Sequence, residues 1–129
     1  MSFLPRAAGT TLAALTGIAS FQAHALDVQI GYIQFEPDQG PVLSNVIPEP
    51  EDAGLRGAEL AIADNSTTGR FLGQTYTLQA QVTDSEADAL AAFDTLRAQG
   101  TSVFVVNAPA NTLQAMTEQA GDDVLLFNA

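Results

Sequence analysis

From Leu26 onward, short stretches with the apolar periodicity of a β-strand alternate with stretches that have the apolar periodicity of an α-helix. Val28, Ile30 and Tyr32 alternate with polar residues or glycine, as in a strand with one buried face. A second alternation starts at Tyr76, and its polar face is typical of an edge strand. Two later runs are continuously apolar, which predicts strands buried on both faces. The four predicted strands are residues 28–34, 76–82, 103–106 and 124–127.

Three helices are predicted between these strands, because apolar side chains recur there at helical spacing. They cover residues 53–65, 85–99 and 109–120. Ser85, with Asp88 three residues later, resembles a capping box, and Gly100 is suited to close the second helix. Gly54 and Gly57 weaken the first helix, and we expect both to allow close packing against a sheet. The side chains predicted to face inward are Leu55, Ala58, Ile62, Ala89, Ala92, Phe93, Leu96, Leu113, Met116, Thr117 and Ala120.

The order of these elements, with strands and helices alternating, predicts an α/β fold: a parallel sheet with helices on both faces. The character of the strands predicts the spatial order two–one–three–four, with the second strand at an edge and the third and fourth inside the sheet. A fourth strand inside the sheet needs a further neighbour, since its outer edge otherwise exposes unpaired backbone groups. We therefore expect residues 26–129 to form part of a larger sheet.

The N-terminal residues have the pattern of a secretory signal peptide. One positive charge, Arg6, precedes an uncharged stretch over residues 7–21, and residues 23–25 (AHA) fit the small-x-small cleavage pattern. We predict that residues 1–25 are removed before Leu26 and that the product is periplasmic. The sequence has no cysteine that could carry a lipid anchor. Only one arginine precedes the apolar stretch, so the sequence does not support twin-arginine export. An amphipathic or buried N-terminal helix is the alternative. A membrane span is less well supported, because polar residues and a glycine interrupt the stretch.

Composition narrows the possible chemistry. The hydrophobic fraction of 47% and the mean hydropathy of +0.13 argue for a folded chain despite a net charge of −11. The sequence has no cysteine and no lysine, which excludes disulfides, thiolate catalysis, cysteine-held metal clusters and Schiff-base chemistry. The only histidine, His24, leaves with the predicted signal peptide, so a Ser-His-Asp triad is excluded too.

The acidic balance also limits the expected partners. Phosphate backbones and anionic lipids repel such a chain, so we expect no nucleic acid and no membrane insertion after cleavage. The turn after the first strand has no Gly-x-Gly-x-x-Gly pattern, and no P-loop is present. Because an exported chain crosses the membrane unfolded, we expect no prebound cofactor.

Candidate binding residues are those at the carboxyl ends of the predicted strands, where open parallel sheets bind ligands. Their polar groups are mostly neutral, which suits the binding of a small polar solute better than bond cleavage. Each one also has the alternative interpretation of an ordinary turn or cap residue. The start of the third helix could in addition attract an anion such as a carboxylate. The candidate ligand-binding residues are Phe35, Glu36, Asp84, Asn107, Asn111, Thr112 and Asn128.

Two acidic chemistries are less well supported. Residues 84–88 (DSEAD) resemble the start of a calcium-binding loop, but Ala89 and Thr95 stand where that loop needs glycine and glutamate. A hydrolase that uses paired carboxylates stays open. However, the acidic residues lie at predicted helix starts, and none lies in an apolar run that would raise its pKa.

Several segments resemble periplasmic solute-binding proteins of the branched-chain amino acid class, which have the type I periplasmic-binding fold. These segments are residues 28–34, 84–100 and 103–107 together with the signal peptide. More narrowly, three segments are similar to a subgroup that accompanies pyrroloquinoline-quinone-dependent alcohol oxidation, and residues 63–73 are the most specific part. The three segments are residues 41–45 (PVLSN), 54–73 (GLRGAELAIADNSTTGRFLG) and 121–129 (GDDVLLFNA).

This resemblance implies the solute-binding component of an ABC transport system, with a small-molecule solute and an inner-membrane permease as partners and without catalysis. Such proteins close two lobes on the ligand, and residues 26–129 correspond to part of the first lobe. In members that bind amino acids, small hydroxyl residues at the start of the third helix hold the head group. Ala110, Asn111 and Thr112 stand there in this chain, so an amino acid ligand is not implied. The alternative function is an exported interaction or sensor module with flavodoxin-like topology.

Overall fold

The computed structural model describes residues 25–38, 40, 47 and 50–129. These residues form an α/β fold in which four parallel strands alternate with three helices, as the sequence predicts. The elements in chain order are β1 (Leu26–Phe35), α1 (Ala53–Leu72), β2 (Gln74–Thr83), α2 (Glu86–Ala98), β3 (Val103–Asn107), α3 (Ala110–Gln119) and β4 (Leu125–Asn128).

The strands lie in the order β2-β1-β3-β4, which confirms the predicted order. β1 and β2 pair along their whole length, from Leu26 opposite Gln74 to Phe35 opposite Thr83. β3 pairs with the second half of β1, so that Gln34 lies opposite Asn107. This register brings the carboxyl ends of β1, β2 and β3 to the same edge of the sheet, where the candidate residues were expected.

The apolar core lies between the sheet and the two helices α2 and α3. Ile33 of β1 and Phe104 of β3 are fully buried there, together with Phe93 of α2 and Met116 of α3. The rings of Phe93 and Phe104 meet edge to face, with their centroids 4.8 Å apart. Burial of these large side chains is the main source of stability on this face.

Helix α1 covers the opposite face of the sheet, over β1 and β2. Leu55, Ala58 and Ile62 are half-buried in this contact, as predicted from their spacing. Of the two glycines in the first turns, Gly54 packs closely against the sheet, because a Cβ there would collide with the Tyr32 hydroxyl. Gly57 is exposed and a Cβ there would meet nothing within 4 Å, so the prediction of close packing is wrong for Gly57.

α1 continues past Asn65, the end predicted from the sequence, to Leu72. The polar residues that suggested a stop are accommodated inside the helix: Asn65 Nδ2 and Thr67 Oγ1 donate hydrogen bonds to carbonyls four residues earlier. The helix ends instead at Gly73, whose φ of 68° places it in the left-handed conformation of a C-terminal cap.

β4 is less buried than its apolar sequence suggests. It forms an edge of the sheet, and Leu125 and Phe127 are 58% and 54% exposed on the α1 side. Only Leu126 packs against the core. Leu125 and Phe127 are exposed because α1 lies over β1 and β2, at the other edge of the sheet. Within the described residues β4 is therefore not buried on both faces, and its place inside a larger sheet stays a prediction.

Two smaller differences concern α3 and the N-terminal region. Thr117 was predicted to face inward but is exposed, whereas Thr112 is fully buried. The predicted signal peptide lies outside the described residues except for Ala25, which is exposed, and much of the predicted loop after Phe35 also lies outside them. No helix in the described part of the chain is long and apolar enough to cross a membrane.

Candidate functional site

A cavity of about 630 Å³ opens at the carboxyl edge of the sheet, beside the ends of β1 and β2. A smaller cavity of about 250 Å³ lies next to it, between the end of β3 and the start of α1. Glu36 and Glu51 line both cavities. We refer to the two cavities together as the edge site. The polar residues that line it are Gln34, Glu36, Asp38, Glu51, Thr83, Asp84 and Asn107.

Gln34, which lines the larger cavity, is held in place by a second buried residue of β1, Tyr32. Tyr32 and Gln34 point to the same face of the sheet, because side chains two residues apart in a strand share a face. The Tyr32 hydroxyl, in a side chain that is only 1% exposed, donates to Gln34 Oε1 at 2.8 Å. Because both groups are buried, each one satisfies a polar atom that water cannot reach.

Gln34 also joins β1 to its neighbours. Its Nε2 donates to the Glu51 carbonyl at 2.8 Å, just before α1, and its own carbonyl accepts from the Thr83 hydroxyl of β2 at 3.0 Å. Three separate parts of the chain therefore meet at Gln34, a residue that is 5% exposed: its side chain bonds Glu51, and its backbone carbonyl bonds Thr83. These bonds hold the wall of the edge site in one geometry.

Glu36 and Asn107 form the second contact of the edge site. Asn107 Nδ2 donates to Glu36 Oε1 at 3.0 Å, linking the ends of β3 and β1. Burial raises the pKa of the Tyr32 phenol; a hydrogen bond from Asn107 lowers it, and the charge of Glu36 raises it further. The net direction is upward, so Tyr32 stays protonated and donates its hydrogen bond across the neutral pH range.

The charges around the edge site have one sign. Its ionisable lining residues are Glu36, Asp38, Glu51 and Asp84, and none of the described lining residues is basic. The guanidinium of Arg56, near the start of α1, is exposed and pairs with Asp52 and Glu59 at 3.0 and 2.9 Å. The edge site thus offers many hydrogen-bond acceptors, and it repels anions.

Two of the predicted residues, Asn111 and Thr112, belong to a different contact. Asn111 Nδ2 and Thr112 Oγ1 both donate to Glu86 Oε1, at 3.2 and 3.3 Å. The carboxylate of Glu86 therefore already lies beside the start of α3. This corrects the expectation that the start of α3 is open to an anionic ligand, because a second carboxylate there would be repelled.

The remaining predicted residues have separate locations. Phe35 packs against the apolar core, so its ring is a packing residue, and Asn128 is exposed at the end of β4. The structure therefore brings together Glu36, Asp84 and Asn107 of the predicted set at the edge site.

Four residues that make these contacts are not among the candidates predicted from the sequence: Tyr32, Gln34, Glu51 and Glu86. The signal for Gln34 was present: it is a polar residue on the face of β1 that Val28, Ile30 and Tyr32 otherwise make apolar.

Within the described residues there is no group of three or more His, Cys, Asp and Glu side chains that could hold a metal ion.

Searches against protein-family models, curated proteins and solved structures give no match to this chain.

Proposed function

We propose that this protein is the solute-binding component of an ABC transport system, and that residues 26–129 form part of its first lobe. The observation that carries this proposal is the edge site: a polar, open cavity at the carboxyl ends of parallel strands, with its wall fixed by Gln34. Open α/β sheets bind small ligands at this place. The resemblance of residues 54–73 to periplasmic binding proteins supports the same interpretation.

In this proposal the protein captures a small polar solute reversibly in the periplasm and delivers it to a permease in the inner membrane. No covalent step takes place and no cofactor takes part. Residues 1–25 direct export and are then removed. The type I periplasmic-binding fold places a second lobe opposite this edge, so that the solute is enclosed between two polar surfaces. The carboxylate of Glu36, which the Asn107 amide already holds in place, then orients the solute at little entropic cost.

The chemistry of the edge site favours a solute with several hydrogen-bond donors. The carboxylates of Glu36 and Asp84 accept hydrogen bonds, while the amide hydrogens of Gln34 and Asn107 are already engaged with Glu51 and Glu36. Hydrogen bonds to charged acceptors contribute more than those between neutral groups, about 1.5–3 kcal/mol each. We expect polyols, hydroxylated aldehydes and amines to bind, and simple carboxylates to bind poorly.

The test is a thermal-shift screen of the exported protein against polyols, amines, alcohol-oxidation products, amino acids and carboxylates. A saturable rise in melting temperature with a donor-rich solute, and none with the carboxylates, is the expected result. The absence of a shift with every class contradicts solute binding and favours an interaction module. Turnover of an ester or glycoside that Asp84→Asn abolishes contradicts a purely binding role.

A further inference from the structure

The first residue of β1 lies at the end of helix α1. The backbone N–H of Leu26 donates to the carbonyl of Gly73 at 3.0 Å, and Leu26 pairs with Gln74 at the start of β2. Gly73 is the C-terminal cap of α1, and its own N–H donates to the Gly69 carbonyl. The nitrogen of Leu26 therefore lies at hydrogen-bond distance from the carbonyl of the capping residue that directly follows the 20-residue helix α1, and so close to the C-terminal end of that helix.

The C-terminal end of a helix attracts positive charge. The last carbonyls of an α-helix have no partner within the helix and give this end a partial negative charge. In the full chain the Leu26 nitrogen is an uncharged amide. Cleavage before Leu26 would turn this nitrogen into an α-amino group, which is protonated at neutral pH.

We propose that removal of residues 1–25 makes the α-ammonium of Leu26 a charged C-terminal cap of α1. The proposal rests on the export step of the proposed function. In that step a peptidase adds water across the Ala25–Leu26 bond: hydroxide goes to the Ala25 carbonyl carbon, which leaves as a carboxylic acid, and a proton goes to the Leu26 nitrogen. A second proton from solvent makes this nitrogen an ammonium. The hydrogen bond to Gly73 is kept and gains a charge.

The surroundings of Leu26 can accommodate the ammonium. A cavity of about 420 Å³ runs beside it, and its lining side chains beyond β1, from Gln99, Ser102 and Val103, are uncharged. The charged side chains on the elements that meet here are Asp27 of β1, which is exposed, and Arg70 in the last turn of α1. Asp27 attracts the ammonium and Arg70 repels it, so the helix end with its Gly73 carbonyl decides the balance. Water in the cavity can solvate the two remaining N–H groups.

The sequence allows this charge to be removed alone. Residues 1–129 contain no lysine, so the α-amino group of Leu26 is the single primary amine within residues 26–129. Acetylation with an amine-selective reagent leaves the Leu26 N–H able to donate to Gly73 and removes only the charge. Residues 1–129 are expressed with export, and the mass of the product is measured to establish its first residue. Urea unfolding of the free and acetylated forms is then compared.

At about pH 6.5 we expect acetylation to raise the unfolding equilibrium constant about two- to fivefold, which matches the typical effect of a charge at a helix end. At about pH 9.5 the difference should vanish, because the α-amino group is then largely neutral in both states. As a control, Gly-Ser inserted between Ala25 and Leu26 moves the ammonium by up to about 7 Å, and acetylation of that product should change nothing.

The outcomes separate the two proposals. A product that keeps residues 1–25 contradicts the export step and the cap together. A product that begins at Leu26 but is equally stable with and without the acetyl group contradicts the cap and leaves solute binding untouched.

Discussion

The hydroxyl of Tyr32 donates a 2.8 Å hydrogen bond to the side-chain oxygen of Gln34, a buried residue that lines the larger cavity of the edge site. Both residues lie on β1, on the side of the sheet that α1 covers. Position 34 is thus polar, although the apolar alternation along β1 would place a hydrophobic side chain there. This departure from the pattern places the polar wall of the edge site on the most buried strand of the sheet.

Replacing Gln34 should destabilise the fold. In Gln34→Leu the side chain keeps a similar volume, but the Tyr32 hydroxyl and the Glu51 carbonyl lose their partners. Unsatisfied buried groups of this kind cost about 1–3 kcal/mol, and we expect that loss in the free energy of unfolding measured by urea denaturation. The control is Gln29→Leu on the exposed part of β1, which should change stability by less than about 0.5 kcal/mol. Equal effects of both variants would show that Gln34 is not an anchor.

Two glycines in the same helix give a matched pair. In Gly54→Ala the new methyl group collides with the Tyr32 hydroxyl, and it lies 3.3 Å from Asn107 Nδ2, so we expect a loss of about 1–3 kcal/mol. Gly57→Ala places its methyl in open space and should stabilise the protein by about 0.5–1 kcal/mol through helix propensity. Thermal or urea unfolding checks both variants. A stabilised Gly54→Ala protein would contradict the close contact between α1 and β1.

Tyr32 should make stability fall at high pH. Its pKa is raised in the folded state, chiefly by burial. Below about pH 10, the ordinary tyrosine value, the phenol is protonated in both states and its contribution is complete. As the pH rises through the raised pKa of the folded state, the unfolded chain loses the proton first and unfolding is favoured.

The measurement for Tyr32 uses Tyr76→Phe, which leaves Tyr32 as the single tyrosine. Its phenolate absorbance in the near ultraviolet should titrate at a higher pH in the folded protein than in urea. Identical titration curves in the two states would show that burial does not shift Tyr32.

Glu86 should couple α2 to α3. Its Oε1 accepts hydrogen bonds from Asn111 and Thr112. Glu86→Ala leaves the buried Thr112 hydroxyl without this partner and should cost about 1–3 kcal/mol in unfolding free energy. Glu86→Gln keeps an acceptor oxygen and should recover most of that loss. Glu118→Ala, which removes an exposed acceptor on α3, serves as the control and should have little effect.

The order and type of the elements could be predicted from the sequence, because each depends on local periodicity. Leu55, Ala58 and Ile62 have helical spacing on α1, and all three face the sheet. The end of α1 was predicted too early because Asn65 and Thr67 favour turns in general, whereas here they bond to carbonyls of the same helix. The exposure of Leu125 and Phe127 depends on where α1 crosses the sheet, and local sequence does not contain that information.

The edge site was predictable in its location but not in its contacts. Glu36, Asp84 and Asn107 were found because the topology of a parallel sheet brings strand ends together. The hydrogen bond between Glu86 of α2 and Thr112 of α3 joins residues 26 positions apart in the chain, so no spacing rule predicts it. Phe35 shows the same limit in the opposite sense: it lies at the end of β1 and was predicted to bind a ligand, but the helices facing it place its ring against the apolar core.

The central claim is that the edge site binds a small, donor-rich solute through its carboxylates. The most direct measurement is calorimetric titration of a solute identified by the thermal-shift screen into the exported protein and into two isosteric variants. Asp84→Asn removes a charge that lines the larger cavity, and Asp64→Asn removes an exposed charge on α1. We predict that Asp84→Asn weakens binding about tenfold or more and that Asp64→Asn leaves it unchanged. Equal affinity for all three proteins would contradict the claim.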